Sequence, residues 1–192
     1  MKKITIVDYG SGNVLSAQKS FVKIAKDNNI EVDVLISKKL NDVKDSTHVV
    51  LPGQGAFSTC MNGLKKTDGL IDELCEFALI KKKPFLGICV GMQMLAKMSE
   101  ERGAHEGLGW IDGKIKKLSG DNLKLPHMGW NMVLPTNSKY NNLISTKDDY
   151  YFVHSYYFDC ADRDNILAET KYGINFASIV GKENIYGVQF HP

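Results

Sequence analysis

An apolar strand that runs into a helix through a cysteine, Lys83-Pro84-Phe85-Leu86-Gly87-Ile88-Cys89-Val90-Gly91-Met92-Gln93, sets the tightest limit on how this chain folds. A strand apolar along its whole length is buried on both faces, and one followed at once by a helix belongs to a parallel sheet under helices. The pattern recurs along the first half. Ile4 to Val7 closes at Asp8-Tyr9-Gly10-Ser11-Gly12-Asn13 and leads into helical spacing from Val14 to about Asp27. Glu31 to Ile36 reads as a second strand, Val49 to Leu51 as a third ending at Pro52-Gly53-Gln54-Gly55, and Phe85 to Ile88 as the next. Between them, Asp68 to Lys82 has helical spacing through Leu70, Ile71, Leu74, Phe77 and Ala78. After about Gly103 the texture changes to short β-type runs, at Lys114 to Leu118, Tyr151 to Tyr157, Phe176 to Val180 and Ile185 to Phe190. The expectation is a three-layer α/β domain over residues 1–192, an open, mostly parallel sheet with helices on both faces and antiparallel strands added at its edge.

Composition narrows the function classes. Lys and Arg total 24 against 22 Asp and Glu, a formal charge of +2 that leaves no nucleic-acid or membrane-surface footprint. The apolar run after Met1-Lys2-Lys3 stops at Asp8, too soon for a signal peptide, and no run is long enough to span a bilayer. Cys60, Cys75, Cys89 and Cys160 show no paired spacing, which argues against a disulfide framework or zinc site and for a reducing cytoplasm. Gly10-Ser11-Gly12 lacks the third glycine of a dinucleotide fingerprint, so no cofactor or metal is expected.

Cys89 has the setting of a nucleophile. A thiol on a tight strand-to-helix turn stands clear of the sheet, the helix start favours thiolate and oxyanion, and Gly87 and Gly91 leave room for the turn and a substrate. A buried, inert strand-end cysteine is the alternative. Among five histidines, His48 suits a structural place in a strand and His105 a solvated loop. His191 closes Gly187-Val188-Gln189-Phe190-His191-Pro192 at the carboxyl end of a strand, the edge where α/β sheets build sites and where Cys89 also lies. Gly53-Gln54-Gly55 opens at that edge too, and its backbone with the Val90 N–H would make an oxyanion hole, unless the loop is a plain glycine-rich turn.

With Leu51-Pro52-Gly53-Gln54-Gly55-Ala56-Phe57, Pro126-His127-Met128-Gly129-Trp130-Asn131 and Phe152-Val153-His154-Ser155-Tyr156, these motifs resemble the class I (triad) glutamine amidotransferases, whose fold is flavodoxin-like. Within that class they resemble the glutaminase subunits of imidazole glycerol phosphate synthases. The resemblance implies that Cys89 attacks the carboxamide of glutamine, His191 protonates the departing ammonia, and water releases glutamate from the thioester. It assigns Gln93 and Glu101 to holding the glutamine, and His154, Ser155 and Tyr156 to contacting it through their backbone. It places Gly10, Ser11, Asn13, His127, Trp130 and Tyr151 toward a partner, a (β/α)8-barrel cyclase that forms a heterodimer with this subunit. The cyclase uses the ammonia to make imidazole glycerol phosphate and AICAR in histidine biosynthesis, with glutaminase turnover low until it is bound, through rotation of the Gly53–Gly55 backbone.

Two departures stand out. The family follows its Phe-His-Pro run with a glutamate that orients the imidazole, and this sequence stops at Pro192, so a truncated piece of a longer chain is expected. Gln54 stands where a small apolar residue is common. The rival readings are a paralogous amidotransferase serving another acceptor, a catalytically silent scaffold subunit, and, last, a cysteine hydrolase or chaperone of related architecture.

Overall fold

The computed structural model describes residues 1–146 and 148–192. The first half alternates strand and helix: β1 (Lys2–Val7), α1 (Val14–Asp27), β2 (Val32–Ser37), α2 (Leu40–Lys44), β3 (His48–Gly53), α3 (Phe57–Lys65), α4 (Leu70–Cys75), β4 (Phe85–Cys89) and α5 (Val90–Gln93). The second half is nearly all strand: β5 (Met98–Ser99), β6 (His105–Glu106), β7 (Gly113–Lys117), β8 (His127–Met132), β9 (Leu134–Pro135), β10 (Asp149–His154), β11 (Tyr156–Cys160), β12 (Ile166–Tyr172), β13 (Ile174–Lys182) and β14 (Ile185–Val188).

One sheet runs in the order β2-β1-β3-β4-β14-β13-β11-β7-β5-β6, with β12 and β9 branching from β13. The first five strands of this order are mutually parallel, and β13 joins β14 antiparallel. Successive residues of a strand point to opposite faces, so β1 meets helices on both. Its Thr5 hydroxyl donates to the Asp42 carbonyl of α2, while Ile4 faces the side where Phe21 of α1 lies. Helix α1 starts where expected because the Asn13 side chain accepts from Ser16 N–H at 3.1 Å, replacing a bond the first turn cannot make itself. The core between sheet and helices is filled by Leu51, Phe57, Leu64, Leu70, Leu74, Phe77, Phe85 and Met92, and a smaller core gathers Leu118, Phe152, Phe176 and Phe190.

The α/β class and the antiparallel edge follow the sequence reading; two local expectations do not hold. Asp68 to Lys82 is not one α-helix: α4 begins only after Gly69, whose φ is +71°, and passes into a π-helical turn at Glu76–Ile80. The run Tyr151 to Tyr157 is not one strand but β10 and β11, broken at Ser155, and the two halves lie in different sheets. β10 pairs with β8 as a separate two-stranded ribbon, and β11 pairs with β7 and β13. The sequence carries little signal for α2 and α3, because α2 has five residues and α3 is preceded by Ala56, whose side chain makes no cap.

Register positions the site. Gly53 on β3 lies opposite Cys89 on β4, and Val188 on β14 opposite Ile88, so the three strand ends reach one edge together. The turn after Cys89 then folds back onto β3 at a distance only glycine allows. A Cβ on Gly91 would stand 1.8 Å from the Leu51 carbonyl oxygen, and one on Gly87 2.6 Å from the Gly91 oxygen. Gly91→Ala is therefore expected to cost at least about 3 kcal/mol, the upper end of overpacking penalties. Gly120→Ala, where the nearest atom would be 3.4 Å away, should stay within about 0.5 kcal/mol; urea unfolding of both variants checks the contrast.

Candidate active site

Cys89 ends β4 with φ +55° and ψ −114°, a left-handed conformation that a non-glycine residue holds only where its surroundings impose it. Here the imposing contact is the glycine packing of the following turn against β3. The residue is only 4% exposed, and burial pushes its thiol up to about 12, with the Val90 N–H pulling the other way. The sequence reading expected a helix start to favour thiolate. The structure corrects this, because α5 has four residues and dehydration of the sulfur outweighs one N–H. The resting group at neutral pH is a thiol.

Cys89 and His191 border one cavity of about 560 Å³, with Gln54, Gly55, Val90, Gln93, Glu101, His154, Ser155 and Tyr156 also on its wall. His191 is fixed by its backbone N–H, which donates to the Tyr151 carbonyl at 3.0 Å. Its Nε2 is buried with no hydrogen-bond partner among the described residues, and burial lowers its pKa, so the ring is a neutral base at pH 7. Of the four residues expected in an oxyanion hole, Gln54, Gly55 and Val90 line this cavity. Gly53 packs beneath the turn instead, a Cβ there meeting Gly91 N at 2.5 Å, and borders a second cavity of about 270 Å³ shared with Asn13, Tyr151 and His191.

The polar wall is held by directional bonds. Gln93 spends its amide hydrogens on the Tyr156 carbonyl at 3.1 Å and on Gln189 Oε1 at 3.0 Å. Glu101 Oε2 accepts from the Phe57 N–H at 2.7 Å, supplying the cap that Ala56 cannot and tying the Glu101 loop to α3. The Tyr156 carbonyl is 2.8 Å from His154 Nδ1, so that nitrogen donates. His154 Nε2 then accepts from His127 Nδ1 at 3.1 Å, and His127 Nε2 accepts from Asn131 Nδ2 at 3.3 Å. Burial, followed by the neighbouring His127 and His191, takes His154 down to about 4.

The residues expected to face a partner divide. Trp130 is 71% exposed and packs edge-on to Tyr151 with ring centroids 5.4 Å apart. Gly10 is exposed and Asn13 caps α1. Ser11 turns inward, its hydroxyl donating to the Gln54 carbonyl at 2.8 Å beside the Cys60 thiol, which reaches the same oxygen at 3.4 Å. His127 also departs from expectation: it is 3% exposed, stacked on Tyr172 at 4.0 Å, because alternation on β8 sends His127 and Asn131 inward and Met128, Trp130 and Met132 out. Gln189, Asn131, Met128 and Met132 were missed as site or surface residues. The last two were readable from that alternation once β8 was recognised as a strand.

Comparison with known proteins places these features. The family model for glutamine amidotransferase class-I matches residues 5–192. The Pelagibacter ubique protein named imidazole glycerol phosphate synthase subunit HisH is 46% identical over 192 residues, covering 98% of this chain and 91% of its own. The Rhodospirillum rubrum protein of the same name is 42% identical over 194 residues, covering 99% and 91%. Among solved structures, one described as a glutamine amidotransferase superposes with a TM-score of 0.71 at 13% identity, over 98% of this chain and 89% of its own. Another, a glutamine amidotransferase from Thermotoga maritima, gives 0.62 at 22%, over 99% and 75%; both share the fold.

The buried imidazole of His154 predicts acid sensitivity. The unfolded chain takes up a proton near the ordinary value of 6.5 and the folded chain only near 4, so its stabilising contribution is complete above pH 6.5 and is lost as pH falls toward 4. The loss is about 3 kcal/mol at most. Urea unfolding between pH 7 and 4 should show a shallower pH slope for His154→Gln than for the unmodified protein.

Proposed function

We propose, from the premise that this chain belongs to the class-I glutamine amidotransferase family, that its Cys89 is the nucleophile with which it hydrolyses glutamine. The chain is the glutaminase subunit of an imidazole glycerol phosphate synthase, acting in histidine biosynthesis beside a cyclase subunit. One observation carries the assignment of the chemistry: a cysteine held at φ +55° on a strand-to-helix elbow opens onto the same cavity as a neutral, unpaired imidazole.

The residues support the following sequence. His191 accepts the thiol proton as Sγ of Cys89 adds to the carboxamide carbon of glutamine. The developing oxyanion is met by the Val90 N–H and an N–H of the Gln54–Gly55 loop. The tetrahedral adduct collapses by breaking the C–N bond, with His191 returning the proton to the leaving ammonia. Water, deprotonated by His191, adds to the thioester, and breaking the C–S bond frees glutamate and the thiol. Gln93 keeps its amide oxygen for the substrate because both its hydrogens are engaged, and Glu101 offers a carboxylate to the α-ammonium group. Ser155 and Tyr156, at the break between β10 and β11, present backbone to the other end of the ligand.

Ammonia released at His191 has the smaller cavity as its exit, toward Asn13, Tyr151 and the exposed Trp130, where the (β/α)8-barrel cyclase docks. Passage through a closed joint keeps the nitrogen from being protonated in water. The bonds from Ser11 and Cys60 to the Gln54 carbonyl hold the oxyanion loop in place, which supports a low basal turnover that docking relieves. Four cysteines without disulfides support a reducing, cytoplasmic setting; no helix among the described residues is long and apolar enough to cross a membrane.

Glutamate release, measured with and without the cyclase and its ribonucleotide substrate, tests the reading. The rate should rise when both are present and fall to background in Cys89→Ser. Trp130→Ala should weaken cyclase binding by about 2 kcal/mol, roughly thirtyfold in Kd by titration calorimetry. Equal rates with and without the cyclase would count against coupling, and turnover in Cys89→Ser against the nucleophile.

A further inference from the structure

Gln189 follows β14 directly and stands beside Cys89 because β14 pairs with β4 in parallel, with Val188 opposite Ile88. Its side chain is 0% exposed, whereas glutamine ordinarily keeps its amide in water. A buried amide is tolerated only when its polar atoms are engaged, and the partners here decide which end points where. Gln93 donates from Nε2 to the Tyr156 carbonyl and to Gln189 Oε1. With Oε1 committed to that bond at 3.0 Å, Nε2 is the end that faces Cys89 Sγ, at 3.8 Å. Turning the Gln189 amide over would set nitrogen against nitrogen at Gln93 and oxygen against the sulfur. The chain from Tyr156 through Gln93 and Gln189 to Cys89 therefore has one direction, and it ends in a donor aimed at the reacting atom.

We infer that Gln189 is a further catalytic residue, whose Nε2–H hydrogen-bonds the Cys89 sulfur and stabilises the thiolate as its proton leaves. The inference rests on Cys89 being the nucleophile. A dehydrated sulfur needs a fixed donor more than an exposed one does, and a hydrogen bond to the charged form favours that form. The ionisable groups about the sulfur are Cys60 and Tyr9 beneath the loop, His191, His154 and Glu101 on the cavity wall, and Arg102 and Lys117 at its margin. Among the described residues, Gln189 is the one side chain that donates to this sulfur.

The test is the rate at which iodoacetamide alkylates Cys89, read by mass spectrometry of its peptide so that the other cysteines are scored apart. Gln189→Leu removes the donor. Loss of one hydrogen bond to a charged group raises a thiol by about one pH unit, and the greater nucleophilicity of the more basic thiolate offsets part of this, so the rate at pH 8 should drop about threefold. Gln189→Glu sets a carboxylate against the sulfur and should slow alkylation at least about tenfold. In the unmodified protein, the side-chain amide proton resonances of Gln189 should move when Cys89 is replaced by Ala, a readout that needs no Gln189 variant to fold. Wild-type alkylation in folded Gln189→Leu, or unmoved resonances, would overturn the inference. Neither readout uses glutamine turnover, so a failure of Cys89 as nucleophile would appear separately, as glutaminase activity surviving in Cys89→Ser.

Discussion

The approach of the Gly91 backbone to the Leu51 carbonyl is the contact on which the site depends. The 1.8 Å that a Cβ would have to occupy is closed to any side chain, so the turn after β4 folds directly onto the end of β3. That folding leaves Cys89 no strand conformation to adopt, and the residue takes φ +55°. Strain at one residue is sustained because three parallel strands with matched registers hold both sides of the turn. The sulfur is thereby lifted out of the sheet plane and brought to the edge where the loops after β3 and β14 also end.

Burial then shapes the chemistry. The same close packing that aims the sulfur removes it from water and makes the thiol hard to ionise, while His191, also dehydrated, is kept neutral. In the proposed reaction, a protonated thiol and a neutral imidazole that line one cavity form a pair in which one proton transfer creates both charges at once, best when a substrate carbonyl is there to receive the new electron density. The directed chains around the cavity serve this arrangement. The order Asn131, His127, His154 and Tyr156 fixes each tautomer without a charge, and Gln93 with Gln189 fixes two amides.

Much of this was legible in the sequence because it depends on local rules. Parallel strands reveal themselves as short apolar runs, and a glycine on either side of Cys89 marks a turn that excludes side chains. The strand ends carrying Gln54, Gly55, Cys89 and His191 follow from the rule that α/β sites form at the carboxyl edge. What was hidden depends on pairing between distant segments. Tyr151 to Tyr157 is uniformly aromatic, and nothing local shows that its halves enter different sheets. Gln189 looks like the solvent-facing member of an alternating strand, and His127 like a surface residue beside Trp130; only the fold puts the first against a sulfur and the second under an aromatic stack.

The ribbon of β8 and β10 links these layers. It stands outside the main sheet and carries the exposed Trp130 on one strand and Tyr151 on the other, their rings in contact. Tyr151 in turn holds the backbone N–H of His191 through its carbonyl, and the inner side of β8 supplies His127 and Asn131 to the chain that ends at Tyr156. The Trp130–Tyr151 pair is thus one backbone bond from His191, and the inner side of β8 is joined to Tyr156 by three hydrogen bonds through His127 and His154. The Cys89 sulfur is therefore set by the core, and the His191 backbone by a ribbon outside the main sheet.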